Sequence, residues 1–293
     1  MTLQPELVLD AKATLGEGSL WHPLEQKLYW VDIEGKALHI FDPATRHDMS
    51  FLVGERIGTV VPVLSGGVLV ALRSGIYHLS TDTGELNLIT QPLTDPNIRF
   101  NDGKCDPAGR FWVGSMHLEQ IEGAASLYRL DTDKDVQVML TDVTISNGIV
   151  WTSDRKTMYY IDTPTGTVQA FDYNEQTGDI SNPRPAIGIH ESEGYPDGMT
   201  IDADDKLWIA HYGGGCVTRW NPVTGEQLQK VTVPVPNTTS CAFGGENLDT
   251  LYITTAREGL SKEQLAEFPG SGGIFAVKPG VQGVPAHFWL GSL

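Results

Sequence analysis

LYWVDIEGKALHIFD, residues Leu28–Asp42, reads as two short strands of β-branched and aromatic residues joined by a Glu-Gly-Lys turn. The same pattern returns as VLVALRSG from Val68 with IYHLSTDTG from Ile76, and as RFWVGSM from Arg110 with LYRLDTD from Leu127. TMYYIDT from Thr157 is followed by VQAFDYN from Val168, and LWIAHYGGG from Leu207 by VTRWNPVTG from Val217. LYITTARE from Leu251 with GIFAV from Gly273 completes six copies. They begin at 28, 68, 110, 157, 207 and 251, a spacing of 40 to 50 residues, which is that of four-stranded propeller blades. One such unit cannot bury both faces of its sheet, so neighbours must stack around an axis. The repeat therefore predicts an all-β chain: a six-bladed β-propeller of four-stranded blades around a central channel, a single domain over residues 1–293. Closure is expected by pairing of a strand near LVLDA (from Leu7) with the C-terminal HFWLG region (from His287). One short helix is expected inside the last blade, where Ser261 and Gln264 have capping-box spacing.

The net charge is −17, from 37 Asp and Glu against 20 Lys and Arg. That balance argues against a nucleic-acid partner, since a phosphate backbone needs a basic surface to replace its counterions. It argues equally against docking on an anionic membrane. No apolar run approaches a membrane span, and MTLQPELVLD lacks the basic and apolar segments of a signal peptide. Cys105, Cys216 and Cys241 are far apart and odd in number, as expected of reduced thiols in a cytoplasmic protein.

The repeat gives a common phase for comparing blades. Glu17 lies 11 positions before Leu28, Asn101 lies 9 before Arg110, and Asn147 lies 10 before Thr157. Asp197 precedes Leu207 by 10, and Ser240 precedes Leu251 by 11; the second blade has only Gly58 there. These residues are expected on loops that enter the innermost strands and converge on one axial spot. Singly, N-D-G, S-N-G and P-D-G are turn triplets. Together, at one phase of a six-fold repeat, two carboxylates and two amides make an oxygen-rich site suited to a divalent cation.

The motifs LGEGSLW, RFNDGKCDPAGRFWVGSM, SNGIVW, YPDGMTID, TTSCAFGGENLDTLYITTARE and GGIFAV span the chain. In them the sequence resembles the gluconolactonase/regucalcin family, also called the senescence marker protein family. The resemblance implies a six-bladed propeller with one divalent metal ion (calcium, zinc, manganese, magnesium or iron(II)) in its channel. It implies hydrolysis of a sugar lactone (glucono-, galactono-, xylono- or arabinonolactone) to the aldonic acid. In that mechanism the metal polarises the carbonyl and activates water, and Asp197 is the general base. By the same resemblance Glu17, Asn147 and Asp197 are metal ligands, and Arg99, Asn101 and Glu119 contact substrate. The alternative it leaves is a non-enzymatic calcium-binding, regulatory propeller. His117 and His211 read as hydrogen-bonded residues at the channel rim. No GxSxG, HExxH or P-loop motif is present. DTDKDVQVMLTD, from Asp131, imitates a calcium loop but has Val136 where glycine is required, and reads as a hairpin turn.

Overall fold

Each pair of quoted segments forms the middle of a blade. Leu28 faces Phe41 and Val31 faces Leu38 across an antiparallel ladder, which places the β-branched and aromatic side chains between sheets. The computed structural model describes residues 3–293, and among these, six four-stranded antiparallel sheets form a ring. The innermost strands are Gly16–His22, Ile57–Pro62, Ile98–Cys105, Ser146–Trp151, Tyr195–Ile201 and Thr238–Gly244. Each packs against the next around the channel, and the last returns to the first. No helix among the described residues is long and apolar enough to cross a membrane.

The cores lie between blades. Trp21 stacks on Tyr252 at 5.5 Å, joining the first blade to the sixth, and Trp208 meets Phe243 edge-on at 5.6 Å, joining the fifth to the sixth. Trp112 and Trp151 do the same at 5.8 Å between the third and fourth. Two tryptophans are also anchored by a buried aspartate six residues earlier. Asp106 Oδ2 accepts from Trp112 Nε1 at 2.9 Å, and Asp202 Oδ2 from Trp208 Nε1 at 2.9 Å. The Asp131 segment is a hairpin turn, with Lys134 N–H donating to the Asp131 carbonyl at 3.0 Å.

Closure differs from the expectation. Glu6–Leu9 pairs with Ile274–Val277, the strand in GIFAV, and completes the sixth blade as its outermost strand. HFWLG forms no blade strand. Instead the C-terminal segment is a strap across the far end of the channel. Gln282 O accepts from Ala203 N and Gly283 N donates to Leu248 O, on the fifth and sixth blades. Trp289 then exchanges main-chain bonds with Pro62 and Leu64 of the second blade, and Leu290 N donates to Gly109 O in the third. A segment that pairs with several blades in turn cannot run a regular ladder with any one of them, which is why it forms no strand. Trp289 is fully buried in the core shared by the first three blades. The helix spans Lys262–Glu267 with the Ser261–Gln264 capping box in place.

Trp289→Ala is expected to lower the free energy of unfolding by ~3–5 kcal/mol, the cost of an emptied tryptophan site. Urea denaturation measures it; a loss below ~1 kcal/mol would show that the strap contributes little to the ring.

Candidate active site

The six innermost strands share one register landmark. Gly16 pairs with Asp32, Phe100 with Ser115, Ser146 with Asp162 and Pro196 with His211. The next residue on each strand is Glu17, Asn101, Asn147 or Asp197. In all six blades the ladder slips at or just after this point. A bulge bends the strand and re-aims its side chains, so these residues turn into the channel. They lie on strands, not on the entering loops expected from the sequence. Gly18 holds φ 57°, which the bulge of the first blade requires. A Cβ on Gly148 would sit 2.4 Å from that of Met199, because adjacent inner strands pass this closely.

Two residues fall outside the cluster. Thr238 pairs with Thr255 in the sixth blade, so the equivalent residue is Thr239 and not Ser240. Thr239 donates its hydroxyl to the Gly16 carbonyl, and Ser240 bonds the Ser19 hydroxyl at 2.9 Å between blades. Neither lines the cavity. Glu119 is exposed in the turn after Phe111–His117, with its N–H on His117 Nδ1 at 3.1 Å; Gln120 lines the cavity in its place.

The remaining five sequence candidates, Glu17, Arg99, Asn101, Asn147 and Asp197, line a cavity of about 460 Å³ at one end of the channel. A hydrogen-bond chain fixes its polar floor. Arg99 Nη1 donates to Phe100 O at 2.9 Å and to Asn101 Oδ1 at 2.7 Å. Asn101 Nδ2 donates to Ser146 O at 2.7 Å and to Asn147 Oδ1 at 3.0 Å. Asn147 Nδ2 donates to Thr163 Oγ1 at 2.6 Å, which donates to Pro196 O at 2.7 Å. Because Arg99 can only donate, every amide downstream has one allowed orientation. Both N–H groups of Asn101 are engaged, so its amide aligns Asn147 and leaves no free donor for a substrate. Asp32 and Asp162 act one layer further out. Asp32 accepts from Thr14 N at 2.9 Å and Leu15 N at 3.0 Å, just before Glu17. Asp162 accepts from Thr144 N at 3.1 Å and Ile145 N at 2.8 Å, just before Asn147.

The charges are strained. Glu17, Asp102 and Asp197 are 7%, 5% and 6% exposed. Burial, reinforced by the Asp102 carboxylate, pushes the Glu17 carboxyl up to about 8. Asp197 is raised well above the usual range by burial, then by Glu17 and Asp102. Burial lowers the Arg99 guanidinium to about 10, although Glu34, Glu258 and Glu17 favour its charge. Asp102 was not singled out in the sequence because N-D-G reads as a turn. Its Oδ1 accepts from Gly103 N at 2.7 Å and its Oδ2 has no partner among the described residues. Glu17 and Asp197, buried with so little cationic compensation, disfavour their own ionisation, and a dication between them reverses that balance. Among the described residues no three His, Cys, Asp or Glu side chains gather as a ligand set by themselves. The donor set that fits a cation is mixed: two carboxylates, Glu17 and Asp197, with the Asn147 amide oxygen, all hard oxygen donors.

The two histidines are structural in their contacts. His117 Nδ1 accepts from Glu119 N. His211 is fully buried, with Nδ1 on the Glu193 carbonyl at 3.0 Å and Nε2 on Thr218 Oγ1 at 2.6 Å. A carbonyl only accepts, so Nδ1 carries the proton and Nε2 receives the Thr218 hydroxyl.

Comparison with known proteins finds relatives along essentially the whole chain. Residues 15–257 match the family model described as the SMP-30/Gluconolactonase/LRE-like region. The chain is 40% identical to a Bacillus subtilis protein provisionally named a sugar lactone lactonase, covering 95% of this chain and 97% of that one. It is 39% identical to human regucalcin over 99% of each chain. It also resembles the solved structure of a calcium-binding protein, regucalcin, from Agrobacterium tumefaciens. There the TM-score is 0.94 at 26% identity, with 99% of this chain and 98% of that one covered.

Burial lowers the His211 imidazole from 6.5 to about 4. The neutral form is therefore the native one, and its stabilisation is complete above pH 6.5. It is lost as acid protonates the unfolded chain, until the native ring also protonates near pH 4. The unfolding free energy of the wild type minus that of His211→Gln is expected to fall by ~3 kcal/mol across this window. A difference that stays constant from pH 7 to pH 4 would contradict it.

Proposed function

We propose that this chain, which belongs to the SMP-30/gluconolactonase/LRE-like family, is a divalent-metal-dependent hydrolase that opens sugar lactones to aldonic acids. The observation that carries the reading is the pair of buried carboxyl groups, Glu17 and Asp197, with the Asn147 amide in the floor of a 460 Å³ cavity. A plain scaffold gains nothing from burying two acids side by side, since apolar replacements would be more stable.

In this reading Glu17, Asn147 and Asp197 hold the ion: calcium, zinc, manganese, magnesium or iron(II). A bound divalent ion supplies a Lewis acid for the lactone carbonyl and eases deprotonation of water. The protein's own groups do the rest. Asp197 takes the proton of the attacking water on a carboxylate oxygen, held in place by the rigid inner strand. Asn101 keeps the Asn147 oxygen aimed at the floor by donating to it. Arg99 has one nitrogen bound to that floor, and its other nitrogens make no hydrogen bond among the described residues. They are available to the substrate's oxygens and to negative charge developing on the tetrahedral carbon's oxygen. The substrate class is an aldonolactone of glucono-, galactono-, xylono- or arabinono- type. Three free cysteines, all buried, suit the cytoplasm.

A second reading has one observation in its favour, the likeness to a calcium-binding regucalcin: a calcium-binding regulator without turnover. Acid release separates the two. Metal-loaded protein is expected to release acid from fresh gluconolactone well above the spontaneous rate, and chelation to abolish this. Asp197→Asn, which keeps size and one oxygen but loses charge and basicity, is expected to lower kcat at least ~100-fold at saturating metal. Chelator-resistant turnover, or a folded Asp197→Asn protein working at the wild-type rate, would overturn the mechanism. Tight calcium binding with no acid release would favour the regulator.

A further inference from the structure

Glu258 was not a candidate in the sequence, yet it lines the same cavity as Arg99, Tyr212 and Asp197. It follows the Thr250–Thr255 strand of the sixth blade, and its main chain is tied on both sides. Its N–H donates to Thr14 O at 2.9 Å. Its carbonyl accepts from the Tyr212 hydroxyl at 3.1 Å and from Asn237 Nδ2 at 3.0 Å. Three blades' worth of chain therefore fix where this residue stands. Its side-chain carboxylate, in contrast, makes no hydrogen bond or ion pair among the described residues. The neighbouring rim carboxylate, Glu34, is neutralised by Arg56 Nε at 2.7 Å. Glu258 has no such partner.

The cavity thus presents an unengaged carboxylate and the unengaged edge of a guanidinium. Each class of ligand meets this pair differently. At this pair an anion is attracted by Arg99 but repelled by Glu258 and a cation the reverse, whereas an unsubstituted ring covers both groups without offering either a partner. A ring bearing several hydroxyls satisfies both, because each hydroxyl donates to a carboxylate and accepts from a guanidinium. A site built to bond hydroxyls rejects the analogue that lacks them far more strongly than an apolar pocket rejects an added group.

We propose that Glu258 is a specificity-determining residue, whose carboxylate accepts hydrogen bonds from the ring hydroxyls and, with Arg99, selects polyhydroxylated lactones over simple cyclic esters. This deepens the lactonase reading and rests on it for the word lactone, but not for the hydroxylated ring.

Two measurements separate those claims. In the first, kcat and KM of wild type and Glu258→Gln are compared on glucono-δ-lactone and δ-valerolactone, which has the ring without hydroxyls. The preference for the hydroxylated substrate is expected to fall at least ~10-fold, carried by KM, as when one hydrogen bond to a substrate hydroxyl is lost. A preference ratio unchanged by Glu258→Gln would overturn the proposal. In the second, binding of methyl β-glucopyranoside, a hydroxylated ring with no lactone, is titrated calorimetrically into both metal-loaded proteins. Glu258→Gln is expected to weaken it at least ~10-fold whether or not turnover is observed. Equal affinities, or no binding to the wild type, would overturn it. Weakened glycoside binding in a protein that releases no acid would keep Glu258 as the hydroxyl reader and refute the lactonase reading alone. Thermal unfolding of the variant at the wild-type temperature shows that neither result comes from a disturbed fold.

Discussion

Two carboxyl groups, Glu17 and Asp197, are buried beside one another where the inner strands of the first and fifth blades meet the channel. Glu17 raises the affinity of Asp197 for a proton, and the Asp102 carboxylate does the same to both. In a pliable structure the pair would separate. Here it cannot, because every inner strand is wedged between two others around a closed ring. Interblade packing of large aromatic side chains supplies the stability against which this arrangement is held. The rigidity of the ring and the strain of the site are thus one design: the first makes the second sustainable.

The same constraint explains the layers outside the carboxylates. Asp32 and Asp162 occupy the same place at the end of the second strand in the first and fourth blades, and hold the chain just ahead of Glu17 and Asn147. His211 takes that place in the fifth blade and binds the Glu193 carbonyl, just ahead of Asp197. The polar chain from Arg99 to Pro196 crosses the third, fourth and fifth blades, so the floor keeps its shape only while those blades keep their spacing. At the opposite end, the C-terminal strap ties distant blades together.

The blades were legible because each strand hairpin carries its own local pattern, and a pattern repeated six times needs no tertiary information. Glu17, Asn101, Asn147 and Asp197 were legible for the same reason, since they share a phase of that repeat. What failed is what the repeat does not encode. Ser240 is one residue past its equivalent because the bulges change the count between strands, and only the pairing of Thr238 with Thr255 settles the phase. HFWLG has the composition of a strand but bonds to different blades in turn. Asp102 was hidden inside a turn triplet, although it sits on the inner strand Ile98–Cys105. Glu119 points out of a turn whose next residue, Gln120, has φ 54° and takes the place at the cavity. Glu258 ends the motif LYITTARE, which was read for its strand, and only the meeting of three blades singles out the glutamate.

The most direct test of the proposed metal centre is calorimetric titration of calcium, and separately of zinc, into chelator-stripped wild type and Glu17→Gln. Glu17→Gln keeps one oxygen and the shape of the side chain but removes one of the two ligand charges. The expected result is one ion per wild-type chain and an affinity at least ~100-fold lower in the variant, both proteins giving the same β-sheet circular dichroism. A wild-type chain that binds neither ion, or a variant that binds both as tightly as the wild type, would show that the buried carboxylates serve something other than a cation.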